Sequence, residues 1–357
     1  MYLKNLILLV ALLSTPIAAA LTYKGVDWSS LLVEEKAGKS YKTTSGTVQP
    51  LETILKSSGV NTVRQRIWVN PSDGNYNLDY NIKLAQRAKA AGLQIYLDFH
   101  YSDTWADPGH QATPAAWKSL AKDALVKQVY DYTKTVMDTF QKNGIPLSLV
   151  SIGNEITTGL LFPIGQLSKS DGYKNAAALL HSASSAIKDS TISPKPKIMI
   201  HLDNGWNWGT QQSWYDKILA SGGGLTTADF DVQGVSYYPF YNSAATLSSL
   251  ASSLANMAKK YNKEVQVVET DWPTYCPSPA YAFPADAKAI PLSVDGQTTW
   301  MKTVAEKVKG IGSLGTGLFY WEPAWIDNAG LGSSCPYNLM VSDSGAAMAS
   351  LAVFGSI

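Results

Sequence analysis

Two apolar runs in this chain each end in a glutamate. Ser148-Leu-Val-Ser-Ile-Gly-Asn-Glu155 closes on an amide and a carboxylate, and Val265-Gln-Val-Val-Glu269-Thr-Asp-Trp-Pro273 repeats the design, with an aromatic and a proline that stop the run. Such runs suit strands buried on both faces, and parallel α/β folds keep their chemistry at the C-terminal ends of those strands. Two carboxyls brought together there could cleave a glycosidic bond. One, protonated, gives its proton to the leaving oxygen, while the other, ionised, attacks the anomeric carbon or activates water. Taken alone, Asn154-Glu155 reads more readily as the cap of the next segment. The second run weighs against that reading.

The elements needed to position such a pair can be traced along the chain. Strand-like runs at 23–27, 62–67, 94–100, 147–154, 197–202, 232–237, 265–269 and 317–321 alternate with helix-like runs at 49–58, 78–91, 115–142, 172–188, 211–220, 246–261, 297–309 and 344–353. Leu78, Ile82, Ala85 and Ala88 illustrate the helical spacing. Eight βα pairs predict an α/β fold, a single (β/α)8 TIM barrel with its site at the C-terminal strand ends. A doubly wound sheet is the main competitor, but Asp27-Trp28-Ser29-Ser30 stands where that fold carries a glycine-rich phosphate turn. The run Gly222-Gly223-Gly224 follows a helix and reads as a connection.

In a barrel, the strand ends would gather Asp27 and Trp28, Arg64 and Arg66, Asp98, His100 and Tyr101, Asn154 and Glu155, His201, Asp203 and Asn204, Tyr237 and Tyr238, Glu269, and Trp321 and Glu322. Each has a structural alternative, such as an arginine pairing a buried carboxylate. Their collection on one rim favours a site.

A formal net charge of +1 with 16% charged residues offers no footprint for nucleic acid, and no basic block suggests a membrane-surface segment. Eleven Trp and nineteen Tyr supply flat faces that suit sugar rings. Residues 1–20 read as a secretory signal, with Lys4 in the basic region, Leu6 to Leu13 apolar, and cleavage after Ala19 or Ala20, leaving 21–357 as the catalytic domain of a secreted protein. There is no Asn-x-Ser/Thr acceptor. Two cysteines, Cys276 and Cys335, in an oxidising compartment predict one disulfide. Two thiols and four unclustered histidines predict neither metal nor cofactor.

The residues that carry a likeness are Asn61-Thr-Val-Arg-Gln-Arg-Ile-Trp-Val-Asn-Pro71, Asp98-Phe-His-Tyr-Ser-Asp-Thr-Trp-Ala-Asp-Pro108, Ser151-Ile-Gly-Asn-Glu-Ile156, His201-Leu-Asp-Asn-Gly-Trp206, Gly234-Val-Ser-Tyr-Tyr-Pro-Phe-Tyr241, Val267-Val-Glu-Thr-Asp-Trp-Pro273 and Gly317-Leu-Phe-Tyr-Trp-Glu-Pro-Ala-Trp325. With these the chain resembles glycoside hydrolase family 53, the endo-β-1,4-galactanases, over essentially its whole mature length. The resemblance implies a retaining endo-glycosidase acting on β-1,4-galactan or arabinogalactan, and a monomer is expected. By the same likeness Glu155 is the acid/base, Glu269 the nucleophile, and Asn154 the group on the sugar 2-hydroxyl. His100, Tyr237 and one or both of Arg64 and Arg66 would hold the glutamates, Trp321 would floor the cleavage point, and Trp105 and Trp325 would be outer platforms. Asp271 departs from the family pattern, where a neutral residue is usual, and could alter pKa values near Glu269. Some relatives lacking the cysteines tie the same two loops with calcium, so the likeness also favours a disulfide without a metal requirement. Two other readings stand beside this one: hydrolysis of another plant β-glycan such as mannan or cellulose, and a catalytically silent carbohydrate-binding barrel.

Overall fold

The computed structural model describes residues 20–357. The secretory segment read over 1–20 therefore lies, apart from Ala20, outside the described residues. Strands β1 (Tyr23–Asp27), β2 (Thr62–Ile67), β3 (Gln94–Phe99), β4 (Leu149–Ser151), β5 (Lys197–Leu202), β6 (Val232–Ser236), β7 (Glu264–Glu269) and β8 (Gly315–Tyr320) run parallel in chain order, and β1 pairs with β8 to close a barrel. Around it lie α1 (Leu31–Lys36), α2 (Leu51–Ser57), α3 (Leu78–Ala90), α4 (Lys122–Lys142), α5 (Gly172–Asp189), α6 (Trp208–Leu219), α7 (Leu247–Tyr261) and α8 (Val294–Lys309). This is the (β/α)8 barrel that the alternation of runs predicts.

Local chemistry accounts for several boundaries. The side chains of Asn77, Asn207, Thr246 and Ser293 accept hydrogen bonds from the free backbone N–H groups that open α3, α6, α7 and α8. Helix α3 buries Tyr80, Asn81, Leu84, Ala85 and Ala88, so Leu78 and Ile82 flank the buried stripe instead of forming its centre. The run at 115–142 divides, because Trp117 buries its ring against Tyr132 at a centroid distance of 5.5 Å and ends a 3₁₀ turn over Ala115–Trp117 before α4 begins. The run at 344–353 is not an α-helix. Gly345 turns the chain with φ 77°, and a 3₁₀ segment follows at Ala349–Gly355. Helix α1 and a short hairpin pairing Gly159–Leu160 with Gly165–Gln166 lie outside the runs read from the sequence.

The barrel interior is layered. Tyr23, Tyr96, Leu149, Met199, Val232, Val268 and Phe319 fill one layer. A Cβ on Gly25 would lie 2.2 Å from the Phe319 ring, so only glycine lets β1 pass that ring. Arg64 rests on this layer, its guanidinium carbon 5.5 Å from the centre of the Tyr96 ring. The apolar plug thus supports the charged groups at the C-terminal mouth.

Candidate active site

Glu269 is the last residue of β7 and is buried. Glu155 arrives differently. Strand β4 ends at Ser151, earlier than the run at 147–154 suggests, because Gly153 and Glu155 take φ values of 128° and 47° and turn the chain inward. A non-glycine residue in the left-handed region costs about 1–3 kcal/mol and persists where its surroundings fix it, commonly at functional sites. The glutamine Nε2 of Gln111 donates to the Asn154 carbonyl at 2.8 Å and secures this turn. Both glutamates line one cleft of about 500 Å³, with Trp105, Asp107, Asp203, Asn204, Ser236, Tyr238, Tyr241, Trp321 and Trp325 among its walls.

Beneath the cleft, Arg64 is a buried hub. Its Nη1 reaches Asp27 Oδ2 at 3.0 Å, and its Nη2 lies 2.8 Å from each of Asp98 Oδ2, Glu269 Oε1 and Asn154 Oδ1. Asn154 Nδ2 donates to the Ala106 carbonyl at 2.7 Å, which fixes the amide with its oxygen toward the arginine. His100 Nδ1 accepts from Trp68 Nε1 and from the Ala106 N–H, both at 3.1 Å, so its proton sits on Nε2, facing Asp98 at 3.2 Å. Burial lowers the His100 pKa despite Asp98, and the ring is neutral. Against the opposing pull of burial, Arg64 and then His100 hold Asp98 well below the usual carboxylate range.

Arg66 serves another cluster. Its Nη1 meets Glu322 Oε1 at 2.6 Å and lies 3.6 Å from Asp27 Oδ1, and Glu322 also accepts from the Ser30 N–H and hydroxyl at 3.0 and 2.6 Å. The guanidinium carbon lies 4.4 Å from the Tyr76 ring centre and 5.1 Å from those of Trp105 and Trp325. Its Nε and Nη2 have no hydrogen-bond partner, and the surrounding rings supply the contact with the cation. Trp105 and Trp325 meet Trp321 edge-on at 5.5 and 6.3 Å, forming an aromatic wall.

The glutamates differ electrostatically. Burial raises both. At Glu269 the Arg64 cation and the Tyr238 hydroxyl, which donates to Oε2 at 2.8 Å, oppose that rise. At Glu155 burial is joined by the negative charges of Glu269 and Asp203, and its carboxyl is held well above the usual range. Of the pair, Glu155 therefore keeps the proton and Glu269 the charge. Asp271 is fully buried with Oδ1 unpartnered, and burial followed by Glu269 holds its carboxyl well above the usual range. The same burial and the nearby Glu269 carboxyl disfavour a second negative charge there.

One expected residue lies elsewhere. The Tyr237 side chain does not hold a glutamate: its backbone N–H donates to the Glu269 carbonyl at 2.9 Å, but its hydroxyl donates to the Ala245 carbonyl at 2.9 Å, and its ring stacks on Trp300 in the helical layer. Successive residues of an extended chain alternate in direction, so Ser236 and Tyr238 face the cleft and Tyr237 faces away. Ser236, missed in the sequence, also bonds His201 Nε2 at 2.9 Å, and burial with Arg64 pushes the His201 pKa down to about 3. Cys276 and Cys335 are joined in a disulfide that packs with Phe240 against Tyr238 and Phe283. Among the described residues, no group of three or more His, Cys, Asp or Glu side chains is arranged to hold a metal ion.

The sequence profile of Glycosyl hydrolase family 53 matches residues 23–354. The chain belongs to glycosyl hydrolase family 53. It is 62% identical over 338 residues to an arabinogalactan endo-β-1,4-galactanase of Thermothelomyces thermophilus, covering 95% of this chain and 100% of that protein. It is 59% identical over 351 residues to a probable arabinogalactan endo-β-1,4-galactanase A of Aspergillus fumigatus, covering 98% of each. A solved fungal β-1,4-galactanase superposes with a TM-score of 0.92 at 62% identity, over 95% of this chain and 100% of the other. The family 53 catalytic domain of Ignisphaera aggregans gives a TM-score of 0.82 at 29% identity, over 95% and 97%. Family membership makes the protein a glycosidase.

Proposed function

We propose that the protein is a secreted, monomeric endo-β-1,4-galactanase that cleaves (arabino)galactan side chains of pectin with retention, residues 21–357 forming its catalytic domain after removal of the signal segment. One observation carries the reading: Arg64 lies 2.8 Å from Glu269 and Tyr238 donates to it, whereas the charges that act most on Glu155 are the carboxylates of Glu269 and Asp203. Glu155 protonates the glycosidic oxygen while Glu269 attacks the anomeric carbon, giving a glycosyl-enzyme and a free leaving chain. Glu155, now a base, takes a proton from water as that water attacks the same carbon and releases Glu269. Two inversions leave the configuration unchanged. Trp321 floors the reacting sugar, Trp105 and Trp325 extend that wall, Asn154 with Asp203 and Asn204 supplies hydroxyl contacts, and Arg64 with Asp27, Asp98 and His100 keeps Glu269 in place. The galactan specificity rests on the likeness to the galactanases above.

Reducing-sugar release from β-1,4-galactan, arabinogalactan, mannan and cellulose tests the substrate. Release from the two galactans alone is expected. Cleavage of mannan or cellulose in their place would assign another β-glycan, and no release from any would leave a binding protein.

A further inference from the structure

Strands β6 and β7 fall out of step at their last residues. Val235 lies opposite Val267, but Ser236 lies opposite Glu269, so β7 passes one more residue, Val268, across the same rise. A shift of this kind re-aims side chains. Val268 fills the apolar layer of the barrel, while Glu269 enters the cleft level with Ser236. Ser236 is thereby set in the cleft wall with both glutamates, yet neither displacement uses it.

The Ser236 hydroxyl is held from behind. His201, on β5, is fully buried, and its Nε2 lies 2.9 Å from Ser236 Oγ, whereas its Nδ1 has no hydrogen-bond partner. Arg64, Asp98 and His100 face the ring, and burial with the Arg64 cation keeps it neutral. A neutral imidazole carries one proton, and only Nε2 has an acceptor for it. Ser236 Oγ therefore accepts from His201, which leaves the serine proton free to point into the cleft. Of the two glutamates there, Glu269 already has Arg64 at Oε1 and the Tyr238 hydroxyl at Oε2. Glu155 is the carboxyl on which the Ser236 hydroxyl acts, favouring its ionised form. The other groups facing Glu155 are Glu269 on β7, Asp203 after β5, Asp107 after β3, and the Tyr238 and Tyr241 hydroxyls after β6. None is a cation, so the charge left on Glu155 when its proton goes to the leaving oxygen needs a neutral donor.

We propose that Ser236 and His201 are a positioning pair for Glu155: the imidazole N–H fixes the serine oxygen, and the serine hydroxyl donates to the Glu155 carboxylate after its proton has left. The pair would hold that carboxylate in one orientation until it takes the proton of the attacking water in the second displacement. The inference rests on the acid/base role proposed above for Glu155 and names the groups that prepare it.

The pH profile of kcat/KM on β-1,4-galactan tests the pair, because its basic limb follows loss of the Glu155 proton. A donor to a carboxylate lowers the pKa of its acid, so removing the donor raises that pKa. Ser236→Ala, which deletes one oxygen, should move the basic limb up by about one pH unit and lower kcat about fivefold. His201→Leu should move the limb the same way, and His201→Gln, whose amide N–H can stand in for Nε2–H, should recover most of the wild-type position. Tm is recorded for each variant. A folded Ser236→Ala with an unmoved basic limb would overturn the pair, whatever its kcat, and so would a His201→Gln limb displaced as far as that of His201→Leu. The assignment beneath it is read separately in Glu155→Gln. Its residual activity on galactan should lack the basic limb, and a limb that persisted there would overturn the acid/base role of Glu155 itself.

Discussion

Tyr238 donates its hydroxyl to Glu269 Oε2 at 2.8 Å, while its neighbour Tyr237 turns to the opposite side and bonds the Ala245 carbonyl. A donor to the ionised form of a carboxyl lowers its pKa, so removing that donor raises it. In Tyr238→Phe, the acidic limb of kcat/KM, which follows Glu269 ionisation, should move to higher pH, and kcat should fall about tenfold. Tyr237→Phe should keep the wild-type profile and lose about 1 kcal/mol of stability with its buried hydrogen bond. A pH-rate series on both variants distinguishes the neighbours.

The two glutamates should fail in different ways. Glu155→Ala is expected to lose about 10²- to 10⁴-fold on polysaccharide but less on aryl glycosides, whose leaving groups need little protonation. Glu269→Ala should lose activity on both. Azide added to Glu155→Ala should restore turnover and yield a β-glycosyl azide; an α-azide from that variant would exchange the roles.

Arg66 and Arg64 should separate binding from chemistry. The Arg66 guanidinium lies under Trp105 and Trp325, and a lysine keeps the charge near Glu322 but not the planar face. Arg66→Lys should raise KM on galactan about fivefold with little change in kcat, and it should alter the tryptophan signal in near-UV circular dichroism. Arg64→Lys should act mainly on kcat, because Arg64 touches Glu269 directly. Steady-state kinetics on polymer reads the split.

These contrasts also mark what the sequence disclosed. Strands buried on both faces write themselves as apolar runs, and the polar residues closing those runs, Asp27, Asn154, Asp203 and Glu269 among them, identify the catalytic rim. Arg64 and Arg66 lie two apart on one strand and face the same side, so periodicity cannot tell which reaches Glu269. That depends on how β7 and β8 stand across the barrel. Tyr237 and Tyr238 were within reach of sequence reasoning, because alternation from the inward-facing small residues Gly234 and Ser236 points to Tyr238. The 344–353 run misleads for a local reason: its apolar spacing is helical, but Gly345 fits tightly against the Ser40 carbonyl and diverts the chain.

The Cys276–Cys335 bond closes a loop of 59 positions. Chain-entropy arguments assign such a closure roughly 3–4 kcal/mol. The double variant Cys276→Ser/Cys335→Ser should unfold at lower denaturant by about that amount, and wild-type activity should be unaffected by a chelator. Activity lost to the chelator and restored by calcium would refute this expectation.

The central claim is that Glu269 attacks the sugar while Glu155 manages the proton, in two displacements. Proton NMR of the first products from β-1,4-galactan measures this most directly, because the anomeric configuration is set at the moment of cleavage, before mutarotation. The β-anomer is expected to accumulate first, the α-anomer following only by equilibration. An α-anomer formed first would mean a single displacement by water and would rule out Glu269 as the nucleophile.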